Sequence, residues 1–435
     1  MKKVLIVSPS FPPVVSADLH RVRMSLPHFE SFGWNPHVLA LEPAAHGGLI
    51  EPELLATIPD RTLITRTGAL PERLTRLFGI GNPGIRALSH LYAAGSRLIR
   101  RESIDLVYFS TTHFPVMTLG RLWKLRHGVP YVIDLQDPWK TEDDGVKSAP
   151  GVKTRAARRM HAVLEPFAMA RVDGVVSVSD AYLQTLYRRY SALSADNCAV
   201  IPFGASEADV EVSRRQNWAN PFFRTDRATI NAVSVGRGGH DLRYAADLLF
   251  TAVRLIQDRG VPMRPVRFWF AGTDYASRNE ATISPVAERA GIGPVVTESP
   301  NRLPYLQALR LLQDASVTVM LGSDEGAYSP SKVYPYLLAG KPFIAVMHEA
   351  SSVNPLLERA GTGLVVKFAP GQDVVRAAAD LADRLGRFLI TLPEQAPAPR
   401  DVIASVAARE MTKRQCLVFD QAIGRQATRG VPCAG

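Results

Sequence analysis

Short apolar runs recur along the chain, most without the alternation of a half-buried strand. Small or polar residues follow each run, then usually a stretch with helical spacing. Residues 3–7 predict an opening strand buried on both faces, stopped by Pro9 and the Pro12-Pro13 pair. Residues 19–32 place apolar positions at helical spacing, with Asp18 as the expected cap and Gly33 as the stop, and residues 36–41 predict the next strand. Strands continue over 104–109, 130–135, 173–179 and 199–201. The pattern then begins again with 230–235, followed by 267–271, 295–297, 317–321, 343–346 and 364–367. Helices are expected from 244 onward and over 305–313, 332–338, 354–360 and 372–385. Strand–helix–strand order with doubly buried strands predicts parallel sheets covered by helices. The chain reads as α/β, two Rossmann-like parallel-sheet domains with a cleft between them. The expected division is 1–205, a polar and irregular linker over 206–228, a second domain over 229–400 and a last helix over 401–423, before a disordered tail.

Composition supports this division. A chain of 435 residues suits two domains of about 200. Hydrophobic residues make up 46% and charged ones 21%, values of a soluble globular protein. No apolar run approaches the ~20 residues of a membrane span, and the opening apolar stretch is too short for a signal peptide. Cys198, Cys416 and Cys433 are scattered without metal spacing, which suits a reducing cytoplasm and argues against structural zinc. A formal charge of +10 favours an anionic partner: a nucleotide, a nucleic acid or a membrane surface. The usual nucleic-acid motifs are absent, so no nucleic-acid partner is expected. Residues 61–101 carry Arg61, Arg66, Arg73, Arg76, Arg86, Arg97, Arg100 and Arg101 among interleaved apolar residues. Lys153, Arg155, Arg158 and Arg159 form a second basic stretch. Each is either a contact for anionic lipid or a solvated helix face.

Candidate chemistry gathers in the loops that leave the strands. Between the strand at 317–321 and the helix at 332–338 lies a polar loop ending in Lys332. Helix amides and an ammonium there favour an anion, and open parallel sheets bind ligands at such carboxyl ends. Gly236-Arg237-Gly238-Gly239 follows the strand at 230–235, with Arg243 soon after, a turn able to bring amides and guanidinium forks to a phosphate. The turn does not complete the dinucleotide fingerprint Gly-x-Gly-x-x-Gly, which disfavours a nicotinamide enzyme. His113 leaves the strand at 104–109 and is either structural or catalytic. Asp137, before Pro138 and Trp139, either meets an acceptor hydroxyl or caps a helix.

The segment Pro330-Ser331-Lys332-Val333-Tyr334-x-Tyr336-Leu337-x-Ala339-Gly340-Lys341-Pro342 resembles the donor site of GT-B glycosyltransferases of the family 4 type. The resemblance implies a donor site at Glu325, Ser329, Ser331 and Lys332. The two glutamates that the family spaces eight apart fall on Ala327 and Pro335, with Asp324 and Glu325 just ahead of the first. Ser16 and Ala17 stand where the family has a glycine pair near the donor phosphates. Gly236 and Arg237 match its diphosphate-binding turn, while its following lysine falls on Leu242, one before Arg243. Arg302 corresponds to the base pocket, and the family's histidine falls on Ser110, three before His113. Asp137-Pro138-Trp139 is similar to an acceptor-side segment, Pro202-Phe203-Gly204 to the turn that ends the first domain, and the last helix to one that crosses back onto that domain.

By resemblance the protein is a retaining, metal-independent glycosyltransferase with no cofactor. It would take a nucleotide-sugar donor and an acceptor glycan, lipid-linked sugar or small molecule. Its expected place is the cytoplasm or, peripherally, the inner face of the membrane. The missing carboxylates fit a mechanism in which the leaving phosphate takes the acceptor proton. A sugar-nucleotide epimerase on the same fold and a non-catalytic nucleotide-binding homologue are the alternatives.

Overall fold

The computed structural model describes residues 1–140, 152–274, 280–326, 332–369, 371–393 and 395–429. Two compact units emerge, one of residues 1–204 and 408–435, the other of residues 205–407. The first is built on a seven-stranded sheet: β1 (Lys2–Val7), β2 (Trp34–Leu41), β3 (Leu63–Thr67), β4 (Leu106–Ser110), β5 (Tyr131–Leu135), β6 (Gly174–Ser177) and β7 (Cys198–Val200). The second holds six strands: β8 (Ile230–Val235), β9 (Val266–Ala271), β10 (Val296–Ser299), β11 (Val317–Leu321), β12 (Phe343–His348) and β13 (Gly363–Phe368).

The spatial orders are β3-β2-β1-β4-β5-β6-β7 and β10-β9-β8-β11-β12-β13, and the pairings are parallel. Chain order therefore reverses between β1 and β4 in one sheet and between β8 and β11 in the other. Loops leaving the strands on either side of such a point diverge and leave a crevice, the usual ligand site of open α/β sheets.

Central strands are apolar because both faces are covered: β4, β5 and β11 are buried at every position. Two glycines allow the helices of the first unit to approach closely. A Cβ on Gly95, in the helix Leu88–Glu102, would lie 2.2 Å from Trp123, and one on Gly120 would lie 2.4 Å from Tyr131. Trp123 in turn stacks on Phe109 of β4. The last helix, Ala408–Arg429, completes this core through Phe419, whose ring lies 4.8 Å from Tyr108 and 5.3 Å from Trp34.

Several elements depart from the sequence pattern for local reasons. The helix expected over 19–32 stops at Ser25, before Pro27, and resumes as a short turn at Phe29–Phe32. Its expected cap does not form: the Asp18 carboxylate is drawn instead to Thr111 and Thr112 beyond β4. The supposed linker contains a helix, Glu207–Arg215, capped by the Ser206 hydroxyl on the Asp209 amide, and it belongs to the second unit. Trp269 gathers Phe222 and Phe223 from the same stretch. The single last helix is two, Arg400–Val406 and Ala408–Arg429, because Ala407 is extended. The tail expected from residue 424 is instead helical as far as Arg429, and residues from 430 on, like those over 141–151, lie outside the described residues.

The basic stretch over 61–101 is not one solvated face. It contributes edge strand β3, where Arg66 bonds the carbonyls of Leu41 and Pro12. Arg86 is buried on the carbonyls of Leu70 and Ala45. Among the described residues no helix is long and apolar enough to cross a membrane.

Candidate functional site

In the second unit the turn after β8 is held by its backbone. Gly236 N–H donates to Ala271 O at 2.9 Å, Gly238 N–H to Thr273 O at 2.8 Å and Gly239 N–H to Thr282 Oγ1 at 3.1 Å. Gly236 has φ +108°, a conformation that favours glycine, and its open side faces the Lys332 chain, whose Cδ would lie 3.8 Å from an added Cβ. Arg237 grips Asp241 with both guanidinium nitrogens, at 2.8 and 2.6 Å. Burial raises the Asp241 carboxyl, but bonds from Arg237 and Ser323 outweigh it and hold the group below its ordinary value. Burial and the Arg237 charge push the half-buried Lys332 ammonium down to about 8, with Asp241 opposing. Arg237, Lys332 and Asp241 thus face one another where β8 and β11 diverge, with Asp324 beside Asp241.

Around this group the exit loops converge. Gly272 lies against Arg302 and the Gly236 amide, so the loops after β8, β9 and β10 meet there. Glu298 of β10, unmarked by any motif, bonds the Thr273 hydroxyl and the amides of Thr282, Ile283 and Ser284. A carboxylate on the free amides of a helix start needs tertiary context to be seen. Tyr336 ties the helix Val333–Leu338 to the end of β8 through Val235.

The other predicted residues occupy the neighbouring loops and helices. Arg243 heads the helix Arg243–Asp258 and pairs with Asp247 at 3.5 Å, while Leu242 is buried in the core. Arg302 is exposed on its loop. Glu325 is exposed, its amide bonded to Ser323, and Asp324 is joined through its amide to Asp241 O. Pro335 lies inside the helix Val333–Leu338. Ala327, Ser329 and Ser331 lie outside the described residues.

In the first unit, buried Ser10 beyond β1 stands between two imidazoles. Its Oγ is 3.0 Å from His46 Nε2 and 3.2 Å from His113 Nε2. The rings meet edge to face with centroids 5.6 Å apart. Burial lowers the pKa of both rings, against an opposing pull from Asp18, so both are neutral at pH 7. Gly84 backs His113, since a Cβ there would lie 2.7 Å from the histidine Cβ.

A charged network supports this floor. Arg21 Nε lies 2.9 Å from Asp134 Oδ2, both side chains fully buried, and the Ser110 hydroxyl donates to the same oxygen at 2.8 Å. Ser110, at the position of the family histidine, is thus structural, and His113 is the ring beside Ser10. Ser16 is half-buried and Ala17 exposed, just ahead of the Asp18 anchor. Burial and the Asp18 charge raise the Asp137 carboxyl above its ordinary value. Beside it a cavity of about 280 Å³ is lined by Trp139, Lys140, Glu165, Tyr182 and Arg189. Glu165 is fully buried and accepts from the Tyr190 hydroxyl at 2.7 Å and Arg189 at 3.2 Å.

Comparison with known proteins follows the same division. Residues 20–204 match the Glycosyl transferase 4-like domain. Over the whole chain the fold resembles Anabaena Alr3699/HepE, solved with UDP and glucose, at 16% identity and TM-score 0.53, covering 98% of this chain and 100% of that one. A UDP-forming α,α-trehalose-phosphate synthase from Burkholderia vietnamiensis is 14% identical with TM-score 0.55, over 98% and 100% of the two chains. A putative UDP-N-acetylglucosamine 2-epimerase from Listeria monocytogenes is 11% identical with TM-score 0.52, over 98% of each. No curated protein matches the sequence. The two parallel-sheet domains are those of the GT-B fold.

Proposed function

We propose that this chain, a GT-B protein with a glycosyl transferase 4-like first domain, is a glycosyltransferase that moves a sugar from a nucleotide-diphosphate donor to an acceptor hydroxyl with retention of configuration. The observation that carries the reading is the pairing of Arg237 and Lys332 at the switch point of the second sheet. Breaking the bond between sugar and diphosphate builds negative charge on phosphate oxygens, and fixed cations and backbone amides lower that barrier. Arg237, Lys332 and the amides of the Gly236 turn supply such a field. The new bond forms from the acceptor oxygen to the sugar carbon as the bond to the leaving phosphate breaks, and that phosphate takes the acceptor proton. Uridine is the favoured base, since the structural neighbours include a protein solved with UDP, a UDP-forming synthase and a putative UDP-N-acetylglucosamine 2-epimerase.

The first domain is assigned to the acceptor, a glycan, lipid-linked sugar or small molecule. His113, Asp137 and the cavity beside Trp139 supply hydrogen-bonding groups and room. The exposed arginines over 73–101 suit transient contact with an anionic membrane from the cytoplasmic side.

A thermal-shift screen of UDP, GDP and ADP, then of their sugars, tests the donor assignment. A melting point raised by UDP, followed by transfer from a UDP-sugar, is expected. No response to any nucleoside diphosphate would remove the donor site. An epimerase has the same fold among its neighbours. Solvent deuterium entering the sugar nucleotide without an acceptor would establish that activity instead.

A further inference from the structure

We propose that His46 is a positioning residue for His113. Through the Ser10 hydroxyl it holds His113 in the tautomer protonated on Nδ1, so that the ring offers the acceptor sugar a hydrogen-bond donor and not a base. The inference rests on the assignment of the first domain to the acceptor.

Among the described residues the Ser10 hydroxyl meets only these two ring nitrogens, so its one proton goes to one imidazole and its oxygen accepts from the other. Two neutral rings sharing it through Nε2 must then be opposite tautomers, one protonated on Nε2 and the other on Nδ1. His46 decides which. Its Nδ1 is buried without a partner among the described residues, and a side chain on Gly48 would begin 2.9 Å away. Burying an N–H with no acceptor is rarer than leaving an acceptor lone pair bare. His46 therefore keeps Nδ1 bare, carries its proton on Nε2 and donates to Ser10. Ser10 donates onward to His113 Nε2, and the His113 proton sits on Nδ1. A nitrogen already bearing a proton cannot accept another from the acceptor hydroxyl, which agrees with proton transfer to the leaving phosphate. The three residues come from the exit of β1, the short helix Pro43–His46 and the exit of β4, separated by 36 and 103 positions.

Long-range proton–nitrogen correlation spectra of the ¹⁵N-labelled full chain read each ring's tautomer, with His46→Gln and His113→Gln giving the assignments. Wild-type protein is expected to show His113 protonated on Nδ1 and His46 on Nε2, each favoured by about tenfold, a ratio one hydrogen bond sustains. Ser10→Ala and His46→Phe are expected to release His113 to a mixture. A wild-type His113 protonated on Nε2 overturns the proposal, and so does a Nδ1 preference that survives in both variants. Should Ser10→Ala fail to fold, the wild-type spectrum and His46→Phe decide the matter. UDP titrated into the same wild-type sample separates the two readings. Absence of UDP binding removes the transferase assignment and leaves the tautomer result standing, whereas UDP binding with the wrong tautomer removes only the relay.

Discussion

The Tyr336 hydroxyl accepts from the Val235 N–H at 2.7 Å and donates to the Val235 C=O at 2.9 Å. One phenol thus satisfies both backbone groups of the last residue of β8, next to Gly236, from the helix that follows Lys332. Tyr336 is almost fully buried and Val235 only partly exposed, so these groups have little water to turn to. Tyr336→Phe should destabilise the second domain by about 1–3 kcal/mol, the cost of stranding buried polar groups. It should also loosen the turn and weaken UDP binding. Urea unfolding and UDP calorimetry measure both, and stability within about 0.5 kcal/mol of wild type would show that the clamp is dispensable.

Lys332 gives the donor site a pH limit. Burial first, and the Arg237 charge second, lower its ammonium to about 8. The charged form attracts a diphosphate and lies below that pH, so UDP affinity should be level from pH 7 and fall as pH rises through 8. Binding an anion favours the ammonium, so the break in the complex lies higher than in the unliganded protein. UDP dissociation constants between pH 7 and 10 should bend downward in affinity near these values. In Lys332→Met the bend should vanish and affinity should be low throughout. A wild-type profile without a bend would take Lys332 out of the site.

Arg237 is expected to act on the barrier more than on the fold. Its guanidinium and the Asp241 carboxylate are partly solvent-exposed, so their pair adds little stability. Arg237→Ala should therefore melt within a few degrees of wild type. Transfer should fall by a factor of about 10²–10³, the usual effect of removing one donor to developing charge. Turnover within threefold of wild type would place the leaving group elsewhere.

Strands buried on both faces were plain in the pattern, because apolar runs such as 317–321 admit few other readings. Edge strand β3 was hidden because Leu63–Thr67 is nowhere fully buried and carries Arg66. The helix at Glu207–Arg215 was hidden by its charge, although Ser206 three positions before Asp209 was a readable cap. At the sites, Arg237, Lys332 and His113 stood out because glycines, prolines and charge mark strand exits. Ser10, His46, Glu298 and Tyr336 carried no such mark. Each acts on partners that only the sheet topology brings near, as with Ser10 and His113 across 103 positions. The Asp18 cap failed for the same reason: two threonines beyond β4 held the carboxylate instead.

Arg21 tests how the first domain supports its floor. Its side chain and that of Asp134 are fully buried 2.9 Å apart, and Arg21 also donates to Ile201 O at 2.7 Å. The guanidinium lies 4.9 Å from the Phe203 ring centre, in the Pro202-Phe203-Gly204 turn. One cation thus joins the helix Leu19–Ser25 to the exits of β5 and β7. Arg21→Met keeps much of the volume but strands the Asp134 charge among neutral partners such as Ser110 and Gln136. The expected loss is about 3–5 kcal/mol, the usual result of removing one partner of a buried pair. Pairing Arg21→Met with Asp134→Leu should recover part of it, because no bare charge remains. Unfolding of the first domain, followed by urea titration of the full chain, measures the single and double variants. A single variant as stable as wild type, or a double variant weaker than the sum of the singles, would show that this pair does not hold the floor together.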